Sequence, residues 1–223
     1  APELPTSVPQ VDVVCYGIWT EPQLASNHGV FFIKQGADNE LDFMLQKPSH
    51  EQIETLSQSH MFLMDIGVWI LSDKAIDVLM RKCGWNGSTF ANGAPTNYDL
   101  YSEFGTALGA NPHQTDADIN ALSVAIVTLE NGEFYHFGTS NELISSTEKI
   151  QNRIVDQRTI WHKKVKPHPS IFIQNAICEA ELTIANKNIW IENSCVGKHW
   201  QLTQNNIITG VPSNDWDVSL ACG

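Results

Sequence analysis

Lys47 stands at the end of a short strand-like run, Leu41 to Leu45, and is followed by Pro48. A cation placed just past a strand is positioned to meet an anion. The proline after it biases Lys47 towards an extended backbone, with its ammonium projecting from the sheet edge. Asp65 is the second residue with chemical potential. It interrupts the apolar run Phe62 to Leu71, and an unpaired buried carboxylate is costly, so it must have a structural partner or face a pocket. His136, in the segment His136-Phe137-Gly138-Thr139, is a third candidate. The Trp residues 69, 161, 190 and 200 could stack on a ligand ring, but such residues more often sit in a core with one polar handle. Asp116 and Asp118 could meet a cation, although two loop carboxylates usually form solvated surface.

The elements that must position these groups can be read from pattern. Val11 to Trp19 reads as a strand. Val30 to Ile33 and Leu41 to Leu45, joined by a Gly-, Asp- and Asn-rich turn from Gly36 to Glu40, read as a β-hairpin. Ser49 with Gln52 three residues on is a capping box that opens a helix to about Ser57. Phe62 to Leu71 suits a buried strand. Ser72 caps a helix from Asp73 to about Lys82, with Ala75, Ile76, Leu79 and Met80 on one face and Gly84 as its stop. Residues 84–97 read as loop, Tyr98 to Leu108 as helix, and Leu122 to Leu129 as a strand. Asn131-Gly132 then signals a hairpin returning through Phe134 to Phe137. Ser140 begins a helix carrying Leu143 and Ile144. The stretch from Glu148 to Lys166, with Arg153, Arg158, Lys163, Lys164 and Lys166, reads as a bridge.

From Pro169 the texture changes. Short apolar pairs (Ile171/Ile173, Leu182/Ile184, Ile189/Ile191, Ile207/Ile208) recur among Asn, Gly and Glu at spacings near five to seven residues. This is the pattern of a parallel β-helix of roughly hexapeptide turns, about two coils of it, with an ordinary meander as the alternative. The resulting division is 1–166 as an α/β part and 167–223 as a β-helix segment.

Composition sets the outer limits. The 223 residues carry a net charge of -12, which argues against nucleic acid and anionic membrane surfaces as partners but allows a local cation cluster for phosphate. No apolar run approaches the roughly 20 residues that span a bilayer. Five scattered cysteines without C-x-x-C spacing suggest neither a disulfide framework nor a zinc site, and a reduced, cytoplasmic setting is the simplest reading.

The order Asn27-His28-Gly29-Val30, hairpin, Gln46-Lys47-Pro48, then Asp65-Ile66-Gly67-Val68-Trp69 resembles the sugar-1-phosphate half of the sugar nucleotidyltransferases. The longer wording ASNHGVFFI, FMLQKPS and FYHFGTSNELI is similar to the fucose-1-phosphate guanylyltransferases, free-standing or joined to a fucokinase. The resemblance runs from about Val11 to Pro212. It implies an α/β fold, a partial nucleotide-diphospho-sugar transferase with a mixed sheet and flanking helices, followed by left-handed β-helix turns. It also implies L-fucose-1-phosphate and GTP as substrates and Mg2+ as cofactor. Lys47 would contact the sugar phosphate and act catalytically. Gln46, where many relatives carry Glu, would hydrogen-bond a sugar hydroxyl as a neutral group. Gly29 and Gly67 would leave room for the ring, and Asn27, His28 and Asp65 would lie beside it. His136, Gly138 and Thr139 align with a "D-x-G-T" segment whose aspartate helps bind magnesium. A histidine suits that hard cation poorly, so the resemblance gives His136 a phosphate or sugar contact, or plain packing, and no metal.

The family's glycine-rich triphosphate loop is not found: Gly84, Gly87 and Gly93 are dispersed. The chain begins at Ala1 without methionine and reads as an internal fragment. On that reading the nucleotide half and the metal ligands lie upstream, a kinase lies downstream, and the fragment alone is inactive. Two other classes stay open. One is a carbohydrate-binding or oligomerisation module built on the β-helix, through which the chain could form a homo-oligomer. The other is a hexapeptide acyltransferase, for which the repeat is short.

Overall fold

A computed structural model describes residues 7–36, 40–154 and 167–223. The chain divides into two compact units, residues 1–133 and 134–223.

The first unit is built on a five-stranded mixed sheet in the order β3-β2-β4-β1-β5. Its strands are β1 (Val13–Ile18), β2 (Gly29–Lys34), β3 (Phe43–Gln46), β4 (His60–Leu71) and β5 (Val124–Thr128). The expected hairpin forms, with Val30 opposite Leu45 and Phe31 opposite Met44. β4 lies antiparallel between β2 and β1. β5 joins the far side of β1 in parallel, which antiparallel turns cannot supply and a long crossover can. On one face Val13, Cys15, Phe31, Leu63 and Ile126 pack on Ala75 and Val78 of α3 (Asp73–Lys82) and on Phe104, Leu108 and Ile119. Each of the buried Val, Leu, Ile and Phe side chains among them contributes about 1.5–3 kcal/mol by leaving water. Val14, Tyr16 and Val127 alternate to the opposite face.

Local signals explain the helices. α2 (His50–Leu56) opens on a complete capping box: Gln52 N–H donates to Ser49 Oγ at 3.2 Å, and Ser49 N–H donates to Gln52 Oε1 at 2.8 Å. Ser72 Oγ accepts from Ala75 N–H at the start of α3. Pro22 opens a short helix not foreseen in the sequence, α1 (Pro22–Ala25), where a first-turn proline costs no hydrogen bond.

Several sequence expectations need correction. Only the first half of β4 is buried: Leu63, Met64 and Asp65 are covered, while Val68 and Ile70 are exposed. The inner face of α3 runs through Ala75, Val78 and Leu79 at i, i+3, i+4 spacing, and Ile76 faces solvent. The helix expected over Tyr98 to Leu108 is a five-residue π turn, Leu100–Phe104, closed by a 3-10 turn, Gly105–Ala107. Asp116 does not await a cation. It caps α4 (Ala117–Asn120) and pairs with Lys82 at 2.6 Å. The return strand Phe134 to Phe137 is not formed. The chain does turn at Asn131, which takes a positive φ of 56°, and α5 (Ser140–Gln151) follows.

In the second unit, β6 (Ile171–Gln174), β8 (Ile189–Glu192) and β10 (Asn206–Thr209) stack as a parallel sheet. β7 (Ile177–Cys178) and β9 (Cys195–Val196) stack beside each other in the same sense. Ile171 pairs with Ile189, and Ile189 with Asn206, so successive rungs are 18 and 17 residues apart. Among the described residues three strands stack, separated by two repeats of 18 and 17 residues. Ile171, Ile189, Ile191, Val196, Trp200, Leu202 and Ile208 fill the interior. The alternate row, Phe172, Trp190 and Ile207, points the other way and is covered by Leu143 and Ile144 of α5. Asn175, Asn188, Asn193 and Asn205 take left-handed backbone at the corners, which asparagine tolerates better than most residues. Asn188 donates to Asn205 at 3.0 Å, and Asn175 donates to Asn193.

Trp161 and the basic residues 158, 163, 164 and 166 lie outside the described residues. No helix among the described residues is long and apolar enough to cross a membrane.

Candidate functional site

β-Sheet register brings four of the sequence-selected residues to one end of the first-unit sheet. Gly29 pairs with Gln46 across β2 and β3. A Cβ placed on Gly29 would lie 3.2 Å from Gln46 Oε1, 3.4 Å from Asp65 Cβ and 2.4 Å from Met44 Cε, so only glycine fits this crossing. Asp65 is buried, and Oδ1 accepts from Gly67 N–H at 2.9 Å and from Trp69 Nε1–H at 3.0 Å. Burial pushes its carboxyl above the usual range, against the pull of Trp69, Gly67 and Ile66. Trp69 is thus a packed residue with a polar handle.

The arrangement depends on a bulge. Cys15 faces Trp69 and Gly17 faces Asp65, so β4 places three residues, Ile66 to Val68, against one of β1. Gly67 absorbs the kink at φ 75°. Tyr101, from the π turn, sets its hydroxyl 3.6 Å from the place a Gly67 Cβ would occupy.

Lys47 departs from expectation. It takes φ 49°, left-handed rather than extended, while its N–H donates to His28 O at 2.9 Å. That bond closes the hairpin one residue beyond the last ladder pair and draws the backbone out of the β region despite Pro48. A non-glycine residue held there stores roughly 1–2 kcal/mol. The Lys47 side chain is exposed and makes no ion pair with the described residues.

Lys47 and Gln46 line a cavity of about 560 Å³ together with Gln52, Ser102, Thr106 and His113. Asn111 completes that wall, and the sequence reading did not select it or His113. The wall is pinned from behind: Asn111 Nδ2 donates to Asp42 Oδ1 at 2.6 Å, and Ala110 N–H donates to Leu41 O. Burial raises the Asp42 carboxyl, but bonds from Asn111, His60 and Lys34 outweigh it and leave the group below its ordinary value. Gly109, at φ 106°, passes so close to Asp42 O that a Cβ would clash at 2.5 Å. The conjunction of Asp42, Gly109 and Asn111 was the signal available, but it spans 69 residues of chain.

One polar atom stands out. Gln46 Oε1 is buried and accepts no hydrogen bond from the described residues. Such an acceptor costs about 1–3 kcal/mol unless a donor arrives.

The remaining candidates are placed differently. Asn27 is exposed, and its Nδ2 donates to Gln23 O at the end of α1, a capping position. His28 comes next, with its carbonyl engaged by Lys47. His136, Gly138 and Thr139 belong to the second unit. Thr139 caps α5 by accepting from Glu142 N–H, and His136 Nδ1 lies 2.9 Å from Glu142 Oε1. The His136 hydrogen bond, and after it those of Thr139, hold the Glu142 carboxyl below its ordinary value. The imidazole lies over Gly138, where a Cβ would meet its Cε1 at 2.2 Å. Among the described residues no group of three or more His, Cys, Asp or Glu could hold a metal ion. The described residues by themselves thus supply no such cluster for magnesium.

Of the sequence-selected residues, Gln46 and Lys47 line the cavity, and the buried Asp65 lies outside its lining. The family model of the fucose pyrophosphorylase domain matches residues 4–221. The chain belongs to the fucose pyrophosphorylase domain family. It is also 51% identical over 217 residues to an L-fucokinase/L-fucose-1-P guanylyltransferase from Bacteroides fragilis. That match takes in 97% of this chain but only 22% of the relative, so the chain spans about a fifth of the relative's length. Within the fucose pyrophosphorylase domain, the matched segment contains every site residue described above.

Proposed function

We propose that this chain forms the sugar-phosphate-binding part of a fucose-1-phosphate guanylyltransferase, which joins L-fucose-1-phosphate to GTP. In that reaction a phosphate oxygen of the sugar phosphate attacks the α-phosphorus of GTP. The bond to the β-phosphate oxygen breaks, and pyrophosphate leaves with its electron pair as GDP-L-fucose forms. The observation that carries the reading is Lys47, an exposed cation without an ion pair among the described residues, held in left-handed backbone beside the cavity it shares with Gln46. Family membership and the name of the Bacteroides relative support the choice of substrate.

Lys47 neutralises the sugar phosphate and holds it for in-line attack, which is positioning and electrostatics rather than proton transfer. Gln46 Oε1 accepts from a sugar hydroxyl. The resemblance adds Asp65, Gly29 and Gly67 to the sugar pocket, although none of the three lines this cavity. No step is assigned to magnesium, because the described residues supply no cluster for it. In this reading the stacked strands are turns of a parallel β-helix, left-handed as the resemblance implies and available for self-association.

Calorimetric titration with L-fucose-1-phosphate tests the site, with galactose-1-phosphate and free L-fucose as controls. Binding that requires the phosphate and is lost in Lys47→Ala supports the reading. Binding that survives Lys47→Ala sinks it and favours a carbohydrate-binding module. Because no glycine-rich triphosphate loop occurs in the sequence, the chain by itself is expected to release no pyrophosphate from GTP and L-fucose-1-phosphate.

A further inference from the structure

The cavity beside Lys47 differs in charge from the chain that builds it. The chain carries a net charge of -12, yet no aspartate or glutamate among the described residues lines the cavity. Its ionisable lining residues are Lys47, just after β3, and His113, on the loop that follows the 3-10 turn. At about 560 Å³ it has the size of a small-ligand site.

The backbone around His113 is anchored on both sides. Before it, Ala110 N–H donates to Leu41 O at 3.0 Å and Asn111 N–H donates to Asp42 O at 2.8 Å, beside the Asn111–Asp42 side-chain bond. After it, Gln114 N–H donates to Thr106 O at 3.0 Å, and Gln114 Nε2 donates to Ser102 O at 2.7 Å. The first anchor ties the loop to the segment leading into β3, the strand that ends beside Lys47. The second ties it to two other residues of the cavity wall. Between the anchors, the His113 side chain is exposed and makes no ion pair with the described residues. Fixed support beneath an uncommitted side chain suits a group that receives a ligand.

We propose that His113 is a second anion-binding residue of this cavity, its imidazolium and the Lys47 ammonium receiving the same phosphate from two sides. The inference rests on the reading of the cavity as the sugar-phosphate site, and adds a group which that reading does not use. Lysine keeps its charge through the neutral range, whereas histidine changes charge between about pH 5 and 8. The Lys47 share of binding is therefore constant over that range, and the His113 share fades as pH rises. The elements around the cavity carry other titratable groups: His50, Glu51 and Glu54 on α2, and Asp99 and Glu103 at the π turn. None of these lines it. Behind the loop, Asp42 is engaged by Asn111, His60 and Lys34, and Asp116 and Asp118 by Lys82.

The test is calorimetric titration of the full 223-residue chain with L-fucose-1-phosphate between pH 5.5 and 8, for wild type, His113→Ala, His113→Lys and Lys47→Ala. Variants are compared at equal pH, so the ligand's own second ionisation, at about pH 6, cancels. His113→Ala is expected to weaken binding about three- to tenfold at pH 5.5, as loss of one charged contact at an exposed side chain implies, and by less towards pH 8. His113→Lys should match wild type at pH 5.5 and bind more tightly than wild type at pH 8. A residue that only holds the loop would weaken binding equally at every pH, and lysine would not restore it. Two results overturn the role of His113 while Lys47→Ala still abolishes binding: wild-type affinity throughout in His113→Ala, or a loss that neither varies with pH nor recovers in His113→Lys. If Lys47→Ala binds as wild type does, or wild type does not bind, the sugar-phosphate reading falls and this inference falls with it.

Discussion

In the stacked strands of the second unit, a residue and its counterpart one rung later do the same job. Ile171 and Ile189 both fill the interior, Phe172 and Trp190 both face α5, and Asn175 and Asn193 both turn a corner. The sheet of the first unit has no such equivalence. Its strands run in both directions, one carries a bulge, and the residues that gather at its end come from β2, β3, β4 and a π turn. Repetition gives stability that can be divided among rungs. Irregularity gives a place where unlike groups meet, at a cost in strain and unpaired polarity that the rest of the sheet must offset.

The contrast can be probed by substitution, with the largest effect in the regular stack. Ile189→Ala removes a fully buried side chain from the middle rung and is expected to destabilise the second unit by about 2–5 kcal/mol. Chemical denaturation reads this directly, and a loss well below 1 kcal/mol would mean the rungs are not a shared core. Asn186→Ala comes next. Asn186 Oδ1 accepts from Thr183 N–H at 2.7 Å, and its Nδ2 donates to Leu202 O and Thr203 O. Removing it strands these backbone groups at about 1–3 kcal/mol, again by denaturation.

Two aspartates of the first unit give opposite pH signatures. Asp12 accepts from Ser123 N–H and Lys74, ties Ser72 as well, and is held down at about 2 from 3.8. Its stabilisation is present above pH 4 and lost as pH falls towards 2. Asp12→Asn should therefore lower the melting temperature at pH 7, with the gap to wild type closing in that acid window. Asp65 is raised instead, so its contribution is present below the unfolded value and lost as pH rises through the folded one. Asp65→Asn should gain on wild type as pH rises above 4. If both variants track wild type in parallel at all pH values, these carboxyls are not perturbed as described.

The smallest stability effect is at Lys47. Glycine takes φ 49° without a Cβ penalty, but it also loses more chain entropy on folding. Lys47→Gly should stabilise by less than about 1 kcal/mol while abolishing sugar-phosphate binding. A destabilised Lys47→Gly protein would place the strain elsewhere.

These differences also explain what could be read before the fold was known. Signals that act within a few residues were legible: the Ser49/Gln52 capping box, the Ser72 cap, the hairpin and the short-period apolar pairs after Pro169. At the site, residue types were legible but conformations were not. Pro48 argues for an extended Lys47, yet Lys47 N–H bonds to His28 O just before β2 and its backbone is left-handed. The apolar run around Asp65 reads as a plain strand, because a bulge is decided by how β4 meets β1. Asn111 and His113 join the cavity through Asp42, 69 residues before Asn111, beyond the reach of any periodic pattern. Asn131-Gly132 shows the converse: the turn signal was correct locally, and residues 134–137 after it do not form a strand.

The tie at Asp12 also bears on the order of folding. It bonds to Ser123 across a separation of 111 residues, while each new rung of the stack closes a loop of only 17 or 18. Loop-closure entropy makes the longer closure costlier by about 1.5 kcal/mol before any contact rewards it. The stack can therefore grow by short local steps, each rung templating the next. The sheet must wait for β5 before β1 has both neighbours, which places the slow event of the first unit at the strand farthest along its chain.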